Sequence, residues 1–189
     1  MPSFSGVIQV LPRFLVIDRD ARPRSVESMA RTVATSETVD LAELLDFVRP
    51  RHRMLLSTFR ADGSPQLSPV SGGVDDDGRL VIATYPNRAK TRNAQRNPKV
   101  SVCVLSDEWN GGWVQVDGDA EVLHMPDAED ALVDYFRSIA GEHSDWDEYR
   151  AAMRLQNKSL IRITPTRWGP VATGGFPADV AERLDAADG

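Results

Sequence analysis

Arg53-Met54-Leu55-Leu56-Ser57-Thr58-Phe59-Arg60-Ala61-Asp62-Gly63-Ser64-Pro65-Gln66-Leu67-Ser68-Pro69-Val70-Ser71 is the stretch that decides the fold. Arg53 to Phe59 has the length and composition of a strand, Ala61 to Ser64 carries turn residues, and Gln66 to Ser71 returns as a second strand. Pro69 has no amide to donate, so the second strand is expected at an edge, at a bulge, or where something other than a neighbouring strand meets the backbone. Working outward, Asp75-Asp76-Asp77-Gly78 turns the chain into a strand from Arg79 to Thr84. Val100 to Leu105, Trp113 to Met125 and Leu160 to Ile163 complete a set of six. Most of these are joined by tight turns, whereas a parallel sheet needs a helix between most strands.

Helical periodicity occupies what lies between and before. Asp40-x-x-Glu43 has the form of a capping box, and Leu41, Leu44, Leu45 and Val48 share one helical face until Pro50 ends it. Asp127 to Ala140 places Ala131, Leu132, Tyr135, Phe136 and Ile139 on one side, and a further helix is expected from Asp145 to Leu155. The reading is a mainly β (α+β) protein, a six-stranded antiparallel barrel with flanking helices. Residues 37–177 form its domain. Residues 1–36 lack periodicity and read as a poorly ordered N-terminal tail, in which Met29 is a second candidate start; residues 178–189 read as a C-terminal tail.

The composition removes several function classes. A single cysteine, Cys103, excludes an internal disulfide framework and cysteine-rich zinc sites, and its place in an apolar run reads as a small buried thiol. His52, His124 and His143 do not form a metalloprotease helix, and neither a nucleophile elbow nor a glycine-rich dinucleotide or nucleotide loop is present, so no metal is expected. No apolar run is long enough to span a membrane, and the N-terminus lacks a secretory pattern, so the expected location is cytoplasmic.

Charge is distributed unevenly. The chain carries −6, yet Gly78 to Ser106 holds no acidic residue and six cations, Arg79, Arg88, Lys90, Arg92, Arg96 and Lys99. With +6 there, −12 remains on the rest, which opposes a nucleic-acid role for the whole surface. Four of the six fall in Asn87-Arg88-Ala89-Lys90-Thr91-Arg92-Asn93-Ala94-Gln95-Arg96-Asn97-Pro98, a helix with Asn87 as candidate N-cap and Asn97-Pro98 as its stop. It has no apolar stripe, and its cations repel one another. An anion at the helix start would offset both deficits, because first-turn amides and the helix dipole are positive there. Arg88, Lys90 and Thr91 could surround a phosphate; a solvated basic helix is the other reading of the same residues.

Arg88-Ala89-Lys90-Thr91-Arg92-Asn93, with Arg96-Asn97-Pro98 and the valine-rich strand behind it, resembles the signature of the pyridoxamine-phosphate-oxidase-like split-barrel oxidoreductases. Thr58 to Gln66, Trp113-Val114-Gln115-Val116-Asp117-Gly118 and Ile139 to Trp146 extend the likeness across residues 41–170, closest to the actinobacterial branch that uses the deazaflavin coenzyme F420. The resemblance implies a split β-barrel that forms a homodimer, with cofactor sites at the subunit interface. Residues matching Arg88, Lys90 and Thr91 would hold the cofactor phosphate, with Arg92 beside them. Gln66, Ser68, Val70 and Ser71 would lie along the ring, and Trp113 would approach from the partner chain.

The implied activity is hydride transfer from F420 to an electron-poor double bond of a small organic substrate, with FMN as the alternative cofactor. Thr164 to Pro170 does not resemble the pyridoxal-phosphate-recognising end of the vitamin oxidases, which argues against that substrate. Gly72-Gly73 stands where relatives often carry aromatics, leaving room beside the ring or making a bulge. No residue stands out as catalytic; His143 and Tyr149 are proton-donor candidates, against a plain surface role for both. A non-catalytic carrier or a haem-binding module, with His52 or His124 as axial ligand, is the reading from another functional class.

Overall fold

A computed structural model of the protein describes residues 32–188. The expected N-terminal tail and Met29 lie, apart from residues 32–36, outside the described residues. In chain order the elements are β1 (Ser36–Glu37), α1 (Leu41–Val48), β2 (Arg53–Phe59), β3 (Pro65–Ser71), β4 (Gly73–Val74), β5 (Leu80–Thr84), α2 (Ala89–Arg96), β6 (Lys99–Leu105), β7 (Trp113–His124), α3 (Glu129–Ala140), α4 (Trp146–Leu155), β8 (Ser159–Trp168), β9 (Val171–Ala172) and α5 (Ala178–Asp188).

Every strand pairing between these elements is antiparallel, along the path β3-β2-β6-β7-β8-β5-β4. β3, with Pro69, is an end strand, as a residue without a donor requires. The two ends of the path, β3 and β4, are consecutive in sequence with only Gly72 between them, so the sheet must curl round until its first and last strands meet. β7 makes this possible by its length: its first half pairs with β6 and its second half with β8. The β7–β8 register shifts at Asp117 and Gly118, where a side chain on Gly118 would run into the Thr164 carbonyl and Ile163. Because of that shift β8 continues through Pro165 to Trp168 and does not stop at Ile163 as its apolar pattern suggested. The three additional strands, β1, β4 and β9, are two-residue pieces without any repeat for the sequence to display.

Two apolar cores result. Inside the curl, Leu56, Leu80, Ile82, Val102, Val104, Val114, Val116, Ile161 and Ile163 pack together with Leu44 and Val48 of α1. Outside it, Val81 and Leu160 meet Ala128, Leu132 and Val133 on and just before α3, and Tyr149 of α4. β5 is therefore buried on both faces, which is why it reads as a continuous apolar run. β2 and β6 are buried on one face only, and that alternation turns Cys103 outward to a half-buried position on the open face, correcting the expectation of a core thiol. Burial still pushes the Cys103 thiol pKa up.

Gly72 and Gly73 neither bulge nor leave a space. Both are buried; a side chain on Gly72 would strike Met54, and one on Gly73 would strike Ser138 and Ile139 of α3. The pair lets the chain cross directly beneath a helix.

Candidate functional site

The basic helix α2 is held by polar anchors where a stripe of leucines would ordinarily serve. Thr91, Asn93 and Ala94 are its buried residues. The Thr91 hydroxyl donates to the Tyr85 carbonyl at 2.8 Å and lies 3.0 Å from the Thr84 hydroxyl. Asn93 Nδ2 donates to the Thr58 hydroxyl at 3.1 Å, and Arg96 bridges Asn93 Oδ1 at 2.7 Å and the Phe59 carbonyl at 3.0 Å. The anchors of Thr91 and Asn93 satisfy groups that would otherwise be buried without a partner, and the exposed Arg96 adds a tie to β2, which fixes the helix despite its charge. The helix starts one residue later than Asn87 suggested: Arg88, in extended conformation with φ −74° and ψ 145°, is the N-cap, and no side chain caps the first turn.

These anchors sort the six cations. Arg79 pairs with Asp75 at 2.8 Å and with Asp77, Lys99 pairs with Asp119 at 2.6 Å, and Arg96 is engaged as above. Arg88, Lys90 and Arg92 remain, and among the described residues none of them has a carboxylate partner. Burial, then Arg88, then Lys158 push the Lys90 ammonium pKa down. A half-buried cation beside two others is costly unless an anion joins them.

Lys158 belongs to this group and was not singled out by the sequence. It stands next to β8, with its Nζ 3.8 Å from the centroid of the Tyr85 ring, while the Arg88 guanidinium carbon is 5.8 Å from the same centroid. Tyr85 also donates to Gln156 Oε1 at 3.2 Å. The signal in the sequence was faint: the chain has three lysines, Lys90, Lys99 and Lys158, and Lys158 is some seventy positions from the basic helix it joins.

The remaining candidates separate into two places. Gln66 and Ser68 connect to α2 through hydrogen bonds: Gln66 Nε2 donates to Ser68 Oγ at 2.7 Å, and Thr58 joins Gln66 Oε1 at 3.2 Å to Asn93. Val70 is half-buried and Ser71 is exposed, its carbonyl accepting from the Tyr135 hydroxyl at 3.2 Å. Thr91 sits at the helix start but its hydroxyl is wholly buried and directed inward, so it positions the turn and does not face a ligand.

Trp113 is not brought to α2 within one chain. It begins β7, six residues from Asp119, the partner of Lys99, a separation of roughly 20 Å at strand rise. There Trp113, Gln115, Asp117, Arg167 and Trp168 line a shallow depression of about 360 Å3. Asp117 is held below the ordinary carboxylate range, first by the Ser101 hydroxyl at 2.6 Å, then by Gln115 at 2.9 Å and Arg167 at 2.6 Å.

The proton-donor and haem-ligand candidates are engaged elsewhere. The Tyr149 hydroxyl donates to the Leu132 carbonyl at 2.9 Å, and burial, with a smaller contribution from Tyr135, raises its pKa to about 12. His143 packs among Phe136, Trp146 and Tyr149 and accepts from the Asp145 amide at 3.0 Å. His124 is bound at both ring nitrogens, to Ser159 at 2.8 Å and Gln95 at 2.6 Å, while His52 Nδ1 lies 3.0 Å from the Gly72 carbonyl. Among the described residues no group of His, Cys, Asp and Glu is placed to hold a metal, and no helix is long and apolar enough to cross a membrane.

Solved structures share this architecture at low identity. A conserved hypothetical protein from Mycobacterium tuberculosis is 24% identical with a TM-score of 0.59, covering 74% of this chain and 89% of its own. An F420 reductase is 21% identical with a TM-score of 0.50, covering 66% and 94%. The haem storage protein HutZ from Vibrio cholerae is 19% identical with a TM-score of 0.54, covering 69% and 93%. The profile of the pyridoxamine 5'-phosphate oxidase family matches residues 41–172, from α1 through β9, and by that match the chain belongs to this family.

Proposed function

We propose that this protein is an oxidoreductase that anchors the deazaflavin coenzyme F420 by its phosphate and passes a hydride to an electron-poor double bond of a small organic substrate. The observation that carries the reading is the trio Arg88, Lys90 and Arg92, concentrated at α2 without a carboxylate among the described residues. Arg88 supplies a planar fork, Lys90 a point charge, and the first turn its free amides, a donor set that suits a phosphate. The F420 reductase of the same fold supports the deazaflavin over FMN.

When bound, the reduced deazaflavin supplies the hydride; the chain supplies position and exclusion of water. Gln66, Ser68 and Val70 on β3 would flank the ring, and Arg92 would add charge beside the phosphate. Tyr149 and His143 are engaged in packing and do not serve as the proton donor on this reading.

The protein acts as a homodimer on this reading. β2, β3, β6 and β7 present an open face on which Leu67 is 64% exposed and Trp113 41% exposed, beside half-buried Leu55, Cys103 and Leu105. A second copy covering that face would carry its own Trp113 toward the ring.

Titration of the purified protein with F420 and, separately, FMN tests the cofactor. Saturable F420 binding is expected, lost by several kcal/mol in Arg88→Ala/Lys90→Ala with the melting temperature preserved, since each charged hydrogen bond carries about 1.5 to 3 kcal/mol. Tight FMN binding without F420 binding would transfer the activity to a flavin, and unchanged affinity in the double variant would refute the phosphate site.

A further inference from the structure

Tyr85 collects cations from two separate parts of the fold. Arg88 reaches its ring from the start of α2, and Lys158 from the turn that joins α4 to β8. That turn is shaped for the purpose: Asn157 has φ 48°, the left-handed region that asparagine tolerates, and its two neighbours then both address Tyr85. Gln156 accepts the tyrosine hydroxyl at 3.2 Å, and Lys158 places its ammonium 3.8 Å from the ring centroid. The other end of Tyr85 is tied by its carbonyl to Thr91, 2.8 Å from the hydroxyl. The ring is thus clamped between the helix and the turn, and an ammonium seated on it has a defined place.

Arg88, Lys90, Arg92 and Lys158 together make four positive charges with no carboxylate partner among the described residues. Two of them suffice for a singly charged anion. A further one, brought from a distant segment, repels the others; the Tyr85 ring offsets part of that repulsion, and further negative charge offsets the rest.

We infer that Lys158 joins Arg88, Lys90 and Arg92 as the fourth cation of the α2 anion site, and that the group the site takes is a phosphate carrying or adjoining a second negative charge. This rests on the reading of α2 as a phosphate site. Two sources share that chemistry: a terminal phosphate monoester such as that of FMN, and a phosphodiester with a neighbouring carboxylate such as that of F420.

The three lysines make the test direct. In protein labelled with 13C at lysine Cε, the three signals are followed as inorganic phosphate is added at fixed pH, and the Lys90 signal is also titrated with pH; Lys99, paired with Asp119 at 2.6 Å, is the internal control. Phosphate is expected to move the Lys90 and Lys158 signals together, to leave the Lys99 signal unmoved, and to raise the Lys90 midpoint. Lys158→Gln is expected to raise the Lys90 midpoint in the absence of phosphate, and Lys158→Arg to restore it. If phosphate moves Lys90 but not Lys158, the inference about Lys158 falls and the α2 site stands. If it moves neither, or all three alike, both fall.

The source is then read by titrating FMN and F420, each beside its phosphate-free chromophore, into wild type and Lys158→Gln. The true ligand class weakens about tenfold or more, and its phosphate-free chromophore stays within twofold. Equal weakening of both forms would mean that Lys158 places the ring system and not the charge, which overturns the inference.

Discussion

Thr91 shows how one side chain changes meaning between sequence and structure. As a hydroxyl in the first turn of a basic helix it reads as a phosphate ligand; in the fold it is fully buried and bonded to Tyr85 and Thr84. Thr91→Val keeps the shape and removes the hydroxyl, which takes one of two donors from the Tyr85 carbonyl, still bonded to the Arg88 amide at 3.2 Å, and leaves the buried Thr84 hydroxyl without its partner. A stability loss of about 1 to 3 kcal/mol is expected by denaturant melt, with Thr91→Ser close to wild type. An unchanged melt would return the hydroxyl to the ligand site. Lys90 gives a second test, in pH. Burial, Arg88 and Lys158 depress its pKa in the free protein, whereas a bound anion favours the ammonium and raises it. Affinity for inorganic phosphate should therefore rise through neutrality as phosphate takes its second charge, level off, and then fall as pH climbs through the depressed lysine pKa, starting below the usual lysine value. Calorimetry between neutral and alkaline pH should find that slope, and Lys90→Met should abolish it.

At the scale of elements, α2 and the Gly72-Gly73 link teach the same lesson from opposite sides. α2 has almost no apolar surface, yet Thr91, Asn93 and Arg96 fasten it to β2 and to the segment before it. The partners of Asn93 and Arg96 are remote in sequence, 35 residues back at Thr58 and 37 back at Phe59, so no periodicity announces them. The glycine link, for which the sequence suggests room beside a ring or a bulge, is a tight passage against Met54 and α3. Gly73→Ala would drive a methyl into Ser138, whose hydroxyl is already bound to the Tyr135 carbonyl at 2.8 Å. A cost of about 1 to 3 kcal/mol is expected in thermal unfolding, part of it recovered by adding Ser138→Ala. A neutral Gly73→Ala would show that α3 can retreat at no cost. By contrast α1 and α4 were legible, because their caps are local: Asp40 and Glu43 close a capping box, and Asp145 accepts from the Asp147 and Glu148 amides.

For the whole molecule, the asymmetry of the sheet matters most. β5 and β8 are covered inside by the barrel core and outside by α3 and α4, while β2, β3, β6 and β7 keep an open face with Leu67 and Trp113 exposed. A dimer built on that face predicts that Leu105→Glu, whose position pairs with Trp113 across the β6–β7 ladder, converts a dimer to a monomer. Light scattering after size exclusion reads both states. A wild-type monomer at micromolar concentration would sink the dimer, and with it the delivery of Trp113 from a partner.

What the sequence determined by itself was whatever depends on neighbours along the chain: the hairpin from Arg53 to Ser71, the capped helices, and the concentration of cations before β6, while Pro69 narrowed its strand to an edge, a bulge or a ligand-facing backbone, of which the fold took the edge. These follow from periods of two and 3.6 residues and from the donors that proline and helix ends lack. The tertiary structure decided which cations remain without a partner, since Arg79, Arg96 and Lys99 are engaged by groups that folding brings to them. It also decided that Lys158 stands beside Arg88 and Lys90 on Tyr85, and that Thr91 faces inward. Charge belongs to a residue, but its availability to a ligand depends on what the rest of the chain leaves next to it.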